Sequence, residues 1–330
     1  MMHGKIVGTG SFLPEKILSN DELKLIVDTS DEWITRRTGI KERRIASKDR
    51  EESTTDLAVG ASLKALEMAD MSASQLDMLI VGTVTPDSQF PSAGCMIQSR
   101  IGATNAAAFD LSAGCSGFLY ALTMADNAIR AGNAENILVL GVERLSGIVN
   151  WQDRSTCVLL GDGAGAVMIS SSNNGRGIMS THLQSDGTLG NLLYSSYESS
   201  LLPESLDCIE LKPFQLKMDG NKLFKKAVGC LTDIASRALK KNNLSSSDIS
   251  VVIPHQANLR IIMAMAENLG IPMDKVFTNL ARYGNTSSAS IPIALDEANH
   301  AGVLKDGDLV LMASFGAGLT WGAAVIEWGS

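Results

Sequence analysis

The strongest constraint on the fold of this chain is a repeated alternation of apolar, strand-like segments with segments of helical spacing. The strand-like segments are residues 6–10, 76–83, 106–110, 137–142, 164–170, 249–253, 309–314 and 323–328. Apolar residues recur at helical spacing in residues 54–69, 116–131, 220–241, 258–269 and 287–300. Buried strands that alternate with helices in this way predict an α/β architecture.

The two halves of this pattern are similar to each other. The apolar segment 76–81 matches the segment 249–254, and each of them follows a helix and a short polar linker. Further along, residues 137–140 match residues 309–312. The two matches occur in the same order and at nearly the same separation, which indicates an internal duplication.

The duplication predicts how the chain is divided. We expect an N-terminal half over residues 1–172 and a C-terminal half over residues 219–330. The polar stretch 173–218 has no counterpart in the repeat, so it is interpreted as a connector with its own loops. A site of function is expected where the two halves meet.

The composition excludes several classes of protein. A hydrophobic content of 45% with 19% charged residues is typical of a globular protein with a large core. No apolar run reaches about 18 residues and the start does not resemble a signal peptide, so we expect a cytoplasmic protein without a membrane span. Five cysteines without paired spacing argue against a disulfide framework or a zinc site. A net charge of −8 disfavours nucleic acid as a partner.

Cys115 is the candidate nucleophile. It lies between the apolar segment 106–111 and the helical segment 116–131. The N-terminal end of a helix carries a partial positive charge, which can lower the pKa of a thiol from about 8.5. The alternative is a buried, inert thiol. Cys95 is a weaker candidate because it follows a loop instead of a strand.

Three further polar features of the second half could join Cys115. His255 directly follows the strand-like segment 249–253, and open α/β sheets bind ligands at the carboxyl ends of their strands. Asn285 precedes a helix, where it could donate hydrogen bonds or simply cap the helix. The backbone N–H groups of residues 316–318 could stabilise an oxyanion, and a tight turn is an equally good interpretation of these residues.

Together these segments resemble the β-ketoacyl-acyl-carrier-protein synthase III family of thiolase-fold condensing enzymes. The resemblance covers nearly the whole chain, and it is carried by residues 8–14, 28–34, 37–40, 254–262 and 315–322. It implies a thiolase-like fold in which two duplicated βαβαβαββ halves form a layered α-β-α-β-α sandwich. It also implies a homodimer that needs no cofactor or metal, since acyl-CoA is a substrate.

The resemblance implies a two-step condensation that initiates type II fatty acid synthesis. Cys115 accepts a short acyl group from acyl-CoA, with acetyl-CoA as the default primer. Malonyl-acyl-carrier-protein then loses CO2, and the resulting enolate attacks the acyl group to give a 3-oxoacyl-acyl-carrier-protein. His255 and Asn285 stabilise the charge of the decarboxylation step, and the backbone N–H groups of the oxyanion hole come from Cys115, Ala317 and Gly318.

The resemblance also implies substrate contacts, each with an ordinary structural alternative such as core packing or a solvated helix face. Trp33 and Arg154 correspond to a pair that stacks on the adenine of CoA. The remaining CoA-binding residues are Thr29, Arg37 and Asn221. Phe90 corresponds to a residue that closes the acyl pocket of a dimer partner. The acyl-carrier protein is expected to contact Lys222, Lys225, Lys226, Gln256 and Arg260.

Two departures from the family pattern leave alternatives open. Ala317 stands where the family commonly has glycine, and Trp151 and Gln152 could alter the entrance for CoA. The acyl pocket cannot be identified in the sequence, so branched or longer primers remain possible. The alternative functions are a related synthase III-like acyltransferase of secondary metabolism and a non-catalytic subunit that binds acyl carriers.

Overall fold

The computed structural model describes residues 2–47, 50, 52–173, 175–195 and 216–329. The strands are β1 His3–Phe12, β2 Ile17–Ser19, β3 Glu42–Arg44, β4 Met78–Gly82, β5 Ala107–Leu111, β6 Asn136–Arg144, β7 Asp162–Ser172, β8 Ile178–Ser185, β9 Leu193–Ser195, β10 Leu216–Met218, β11 Val251–Pro254, β12 Leu309–Gly316 and β13 Thr320–Glu327. The α-helices are α1 Asn20–Leu23, α2 Asp31–Thr38, α3 Thr54–Met68, α4 Ala93–Ile101, α5 Gly117–Arg130, α6 Arg154–Cys157, α7 Gly220–Lys241, α8 Leu259–Leu269, α9 Leu280–Tyr283 and α10 Ser290–His300. Short 3-10 turns occur at Ala73–Gln75, Gly114–Ser116, Leu145–Gly147, Gly187–Leu192, Ser246–Asp248, Met273–Lys275 and Ser287–Ala289.

The two main sheets have the same strand order and the same strand directions. The first sheet is ordered β1-β7-β6-β4-β5, and the second, read in the same sense, is β8-β13-β12-β11. In each sheet the inner pair, β6 with β4 or β12 with β11, is parallel, while the other shared pairs are antiparallel. A single parallel bridge between Val252 and Val276 occupies the place that β5 has in the first sheet. The predicted duplicated α/β fold is therefore confirmed.

The sheets and helices stack in five layers, because successive strand residues face opposite sides of each sheet. In the first sheet Ile80 packs into the core between the sheets, whereas Leu79 packs into the core under α3 and α4. In the second sheet Ile253 faces the same central core, whereas Val252 packs on the α7 and α8 side. Helices α5 and α10 fill the central layer, which gives the predicted α-β-α-β-α order.

Strand β8 lies within the segment that the sequence indicated as a connector with loops. It pairs antiparallel with β13, with His182 opposite Ala323, and forms the edge of the second sheet. The strand was missed because it is an edge strand with mostly polar, partly exposed residues, so it lacks the apolar alternation of a half-buried strand. The boundaries of the halves stay a prediction, and much of the connector, with Cys208, lies outside the described residues.

Two negative findings bear on function. In the described part of the chain, no helix is both long and apolar enough to cross a membrane. Among the same residues, no group of histidine, cysteine, aspartate and glutamate side chains is arranged to hold a metal ion.

Candidate active site

One cavity of about 640 Å³ brings together the three side chains that the sequence singled out. Cys115 comes from the first half of the chain, and His255 and Asn285 come from the second. Much of the remaining wall is apolar, with Leu145, Ile148, Leu159, Leu160, Leu193, Leu223, Phe224, Leu231, Ile261 and Phe315 among its residues. A mostly apolar cavity with a few convergent polar groups is typical of a small-molecule site.

Cys115 lies in the 3-10 turn Gly114–Ser116, directly before α5. The hydroxyl of Thr320 donates to the carbonyl of Ala113 at 2.6 Å, and the hydroxyl of Ser116 donates to the carbonyl of Thr320 at 3.1 Å. These bonds hold the turn against the β12–β13 hairpin of the other half. Gly316 makes the close approach possible, because a Cβ at this position would overlap the backbone nitrogen of Cys115.

The pKa of the Cys115 thiol is raised in the structure, whereas the sequence predicted a lowered pKa. Burial, with a smaller effect of the carboxylate of Glu143, raises the pKa of Cys115 to about 11. The hydroxyl of Ser287 and the backbone N–H groups of Cys115 and Ala317 act in the opposite direction. The expectation was wrong because the desolvation of a thiolate outweighs the partial charge at the helix end. The side chain of Cys115 is therefore a neutral thiol near neutral pH.

His255 is placed as a neutral hydrogen-bond donor. It follows β11, and its backbone N–H donates to the carbonyl of Ala313 at 2.8 Å. Its Nδ1 lies 2.7 Å from the hydroxyl of Ser290, which also accepts a bond from the backbone N–H of Gln256. We infer from this network that the Ser290 hydroxyl donates to Nδ1 and that the proton of the ring is on Nε2. Burial lowers the pKa of His255 to about 4, so the ring is uncharged near neutral pH.

Asn285 is held by both halves of the chain. Its backbone N–H donates to the carbonyl of Leu159 at 2.8 Å, and its carbonyl accepts from the N–H of Gly161 at 3.0 Å. Its side-chain Oδ1 accepts from the N–H of Ser287 at 2.8 Å, which orients the amide. The NH2 group is then the donor available at the cavity wall. Asn285 does not cap α10, whose N-cap residue is Ala289.

The turns that carry Cys115 and Ser287 pack against each other, and the Ser287 turn also packs against β6. Gly141 in β6 makes this possible, because a Cβ there would overlap the carbonyl of Ser288. Ser287 itself has φ +51°, in the left-handed region that residues other than glycine rarely adopt. A strained, buried serine at the cavity is one of the features that tend to mark functional sites.

Glu143 is a residue of this site that the sequence analysis missed. It ends the apolar part of β6 and is fully buried. Its carboxylate accepts hydrogen bonds from the hydroxyls of Thr85, at 2.6 Å, and of Ser288, at 3.0 Å. Burial raises its pKa to about 7, against the effect of these bonds. A polar residue at the end of an apolar strand was the available signal, and the same signal had identified His255.

The predicted oxyanion hole is only partly assembled at the cavity. Ala317 lines the cavity with Cys115, whereas Gly318 is not part of the wall. Ala317 is also not among the residues with positive φ, and the left-handed backbone falls on Gly318, at φ +136°. Alanine at position 317 is therefore compatible with the backbone without strain.

None of the five predicted CoA-binding residues lines the cavity, and three of them, Trp33, Arg37 and Arg154, form a cluster. The guanidinium carbons of Arg37 and Arg154 each lie 4.7 Å from the ring centroid of Trp33. This distance fits direct stacking of a guanidinium and leaves no room for a second ring, so an adenine between Trp33 and Arg154 requires Arg154 to move. The buried hydroxyl of Thr29 has no hydrogen-bond partner, and Asn221 is exposed at the start of α7.

The predicted carrier-protein contacts are exposed, with one exception. Lys222, Lys225 and Lys226 are exposed on α7, and the guanidinium of Arg260 lies 5.4 Å from the ring of Phe224 on the same helix. Gln256 is a correction: it is 1% exposed, and its amide nitrogen bonds the carbonyls of Pro254 and Phe277. It cannot contact a carrier protein, because its side chain is enclosed by its own chain.

Two aromatic residues from the predictions lie apart from the cavity. Phe90 is 84% exposed, as a residue that reaches into a partner would be, and its role stays a prediction. Trp151 packs partly buried against the core, and its ring nitrogen donates to the carbonyl of Ser146 at 3.3 Å.

Comparison with known proteins gives one consistent result. A family model described as 3-oxoacyl-[acyl-carrier-protein] synthase III matches residues 109–187, and the model of its C-terminal part matches residues 239–328. The β-ketoacyl-[acyl-carrier-protein] synthase III of Caldanaerobacter subterraneus subsp. tengcongensis is 51% identical, over 98% of this chain and 97% of that protein.

The comparison with solved structures finds proteins of the same kind. The 3-oxoacyl-[acyl-carrier-protein] synthase III of Aquifex aeolicus VF5 matches with a TM-score of 0.91 and 48% identity, over 98% of this chain and 100% of that one. The priming β-ketosynthase of the R1128 polyketide pathway matches with a TM-score of 0.92 and 35% identity, over 99% and 97% of the two chains.

Proposed function

The chain belongs to the β-ketoacyl-[acyl-carrier-protein] synthase III family of condensing enzymes, and we propose that it joins a short acyl-CoA to malonyl-acyl-carrier-protein. Acetyl-CoA is the proposed primer, and the products are a 3-oxoacyl-acyl-carrier-protein, CoA and CO2. The observation that carries this proposal is the single apolar cavity shared by Cys115, His255 and Asn285. One thiol nucleophile and two neutral donors suit a condensation through a covalent intermediate.

In the first half-reaction, the sulfur of Cys115 attacks the thioester carbonyl of acyl-CoA. The backbone N–H groups of Cys115 and Ala317 lie beside this sulfur, where they would stabilise the oxyanion of the tetrahedral intermediate. Its collapse releases CoA and leaves the acyl group on Cys115. A thioester keeps that acyl group activated for the second step.

In the second half-reaction, decarboxylation of the malonyl group places negative charge on its thioester oxygen. The Nε2–H of His255 and the side-chain NH2 of Asn285 would donate to this oxygen. Their neutrality matters because a fixed positive charge at this place would also hold the carboxylate that has to leave as CO2. Each donor is expected to contribute about 3 kcal/mol to the stabilisation of the enolate.

The remaining contacts follow from exposure and charge. Trp33 and Arg154 would hold the adenine of CoA once Arg154 swings away from the ring. The exposed Lys225, Lys226 and Arg260 would bind the acidic carrier protein, because a local positive cluster can act within a Debye length of about 8 Å despite the net negative charge. We further propose a cytoplasmic homodimer in which Phe90 reaches the partner.

The proposal is tested by measuring the intact mass of the protein after incubation with a panel of acyl-CoAs. We expect one acyl group per chain, transferred fastest from acetyl-CoA, and no transfer to the Cys115→Ala variant. Cys95→Ser is the matched control, because this exposed cysteine lies outside the cavity and its loss should leave the acylation unchanged.

Two outcomes of this experiment would contradict the proposal. Normal acylation of Cys115→Ala would exclude Cys115 as the nucleophile. Preferred transfer from branched or longer acyl-CoAs would replace acetyl as the primer, and it would favour a priming role outside primary fatty acid synthesis.

A further inference from the structure

Glu143 is a fully buried ionisable group beside the site that the proposed mechanism does not use. Its two oxygens accept bonds from the backbone N–H of Val84 and from the hydroxyls of Thr85, Ser287 and Ser288. In the described part of the chain, no lysine or arginine donates a hydrogen bond to it. Burial of a carboxylate without a cation is costly, and an apolar residue would fill this place at lower cost. A chemical use for the carboxylate would account for its presence.

Ser287 connects this carboxylate to the nucleophile. Its Oγ lies 3.2 Å from Oε1 of Glu143, to which it donates a hydrogen bond. On its other side Ser287 lines the cavity with Cys115, and the turns that carry the two residues pack together. The bond from its backbone N–H to Oδ1 of Asn285 holds Ser287 in its left-handed conformation. Its hydroxyl also interacts with the sulfur of Cys115, so it lies between that sulfur and the carboxylate of Glu143.

We propose that Glu143 takes up the thiol proton of Cys115, through the hydroxyl of Ser287, when Cys115 attacks an acyl thioester. The thiol proton passes to Oγ of Ser287 while the hydroxyl proton of Ser287 passes to Oε1 of Glu143, and the new S–C bond forms. When the C–S bond to CoA breaks, the proton returns through Ser287 to the sulfur of CoA. CoA then leaves as a neutral thiol, and Glu143 is ionised again.

The neighbouring charges are compatible with this role for Glu143. The titratable or charged groups on the surrounding elements are Cys115, Asp87, Arg144, Asp162 and His255. Arg144 and Asp162 attract each other, Asp87 accepts bonds from the N–H groups of Thr54 and Thr55, and His255 is neutral. With its pKa near 7, Glu143 can both accept a proton and return it near neutral pH.

The inference rests on Cys115 as the proposed nucleophile, and it is tested by the pH dependence of two reactions. The first is acylation of Cys115 by acetyl-CoA, and the second is alkylation of Cys115 by iodoacetamide, both followed by mass spectrometry of the Cys115 peptide from pH 5.5 to pH 9. In the wild-type protein both rates should rise with pH, reach their midpoint near pH 7 where Glu143 loses its proton, and then level off.

In two variants, the pH profiles of both rates should lack the midpoint near pH 7. In Glu143→Gln and in Ser287→Ala, the rate should be about 100-fold lower at pH 7.5 and should keep rising up to pH 9. Above pH 7 each further unit should then increase the rate about tenfold, because only direct ionisation of the thiol remains. Ser287→Ala keeps the buried carboxylate, so it still tests the relay if Glu143→Gln fails to fold.

Ser288→Ala is the matched control. Ser288 also donates to Glu143, but it does not line the cavity, so the variant removes one bond to the carboxylate and leaves the path to Cys115 intact. The pH profile of Ser288→Ala should keep its midpoint, but the midpoint should move to higher pH. The hydrogen bond from Ser288 stabilises the ionised carboxylate of Glu143, so its loss should raise the pKa of Glu143. A midpoint near pH 7 that survives in Glu143→Gln or Ser287→Ala overturns the inference. A Glu143-dependent alkylation profile without any acylation would support the relay and reject the proposed acyl donor.

Discussion

The turns that begin the two central helices, one in each half of the chain, share a backbone shape and differ in chemistry. Gly114 starts the turn before α5 with φ +54°, and Ser287 starts the turn before α10 with φ +51°. The next residue is Cys115 in the first half and Ser288 in the second. One half uses glycine, which avoids strain, to present a nucleophile. The other half accepts a strained serine, whose hydroxyl bonds Glu143.

This difference shows how a duplicated fold can divide a reaction between its halves. In the proposed mechanism, the first half presents the thiol that carries the acyl group, and the second presents the donors for decarboxylation. The residues in the equivalent positions are not interchangeable, because Cys115 faces the cavity and Ser288 is buried, with its hydroxyl shared between the carbonyl of Gly82 and the carboxylate of Glu143. Five predictions test this division, from the largest expected effect to the smallest.

The largest effect should come from moving the thiol to the equivalent position in the other half. Cys115→Ala should abolish acyl transfer, and Ser288→Cys added to this variant should not restore it, because position 288 does not reach the cavity. Acyl transfer to the double variant is measured by intact mass. Restored transfer would show that the two turns are chemically equivalent.

The next effect should separate the two half-reactions. His255→Ala and Asn285→Ala should each slow decarboxylation of the malonyl group by about 100-fold, since each removes one donor to the enolate. Acylation of Cys115 should continue in both variants. The release of CO2 and the intact mass are measured in parallel, and an equal loss of both half-reactions would refute the division of roles.

A third prediction concerns the packing of the nucleophile turn. Gly114→Ala would place a Cβ 2.7 Å from the backbone nitrogen of Ala317, and it would strain a residue with left-handed backbone. The free energy of unfolding should therefore fall by about 1–3 kcal/mol. Gly102→Ala is the matched control, because Gly102 is also left-handed and nothing lies within 4 Å of its Cβ position. Denaturant unfolding should show a larger loss of stability for Gly114→Ala than for Gly102→Ala. Equal losses of stability would mean that the left-handed backbone, and not the close packing, causes the effect.

The fourth prediction uses the opposite titrations of two buried groups. The pKa of His255 is lowered to about 4, so its contribution to stability is present above pH 6.5 and is lost as the pH falls toward 4. The pKa of Glu143 is raised to about 7, so its contribution is fully present below pH 4.5 and is lost as the pH rises through 7. The two groups therefore oppose each other between pH 4.5 and 6.5.

Unfolding of two variants at pH 7 and pH 5 checks this opposition. On acidification, His255→Ala should lose about 2 kcal/mol less stability than the wild-type protein, and Glu143→Gln should lose more than the wild type. Identical pH slopes in all three proteins would show that neither group has a shifted pKa.

The smallest effect is expected at the surface. Lys225→Ala should raise the KM for malonyl-acyl-carrier-protein a few-fold, with no effect on acylation by acetyl-CoA, because an exposed charge contributes about 1 kcal/mol or less. Lys222→Ala is the control, because Lys222 is already paired with Asp219 at 3.0 Å. The difference should shrink at high salt, and an equal effect of the two lysines would argue against a specific carrier surface.

Sequence reasoning found the residues whose placement at the cavity depends on their local segment, and their chemical roles stay a prediction. Cys115, His255 and Asn285 each stand at a junction between elements, so position along the chain was enough to single them out. Glu143 was missed because its role depends on donors from two distant segments, 83–85 and 287–288. Gln256 was assigned to the surface because its burial is decided by segments around Phe277 and Asn279, far along the chain.

The sequence by itself determined the layered α/β fold and its duplication, and it singled out Cys115 as the candidate nucleophile, since apolar periodicity and the residues at strand ends are local properties. Only the tertiary structure decided the state of that nucleophile. The pKa of Cys115 is raised and not lowered because desolvation depends on everything packed around the sulfur, and Glu143 reaches it through a turn of the other half. The pKa of a buried group depends on the electrostatic effects of all its neighbours in space, and these neighbours cannot be identified from the order of residues along the chain.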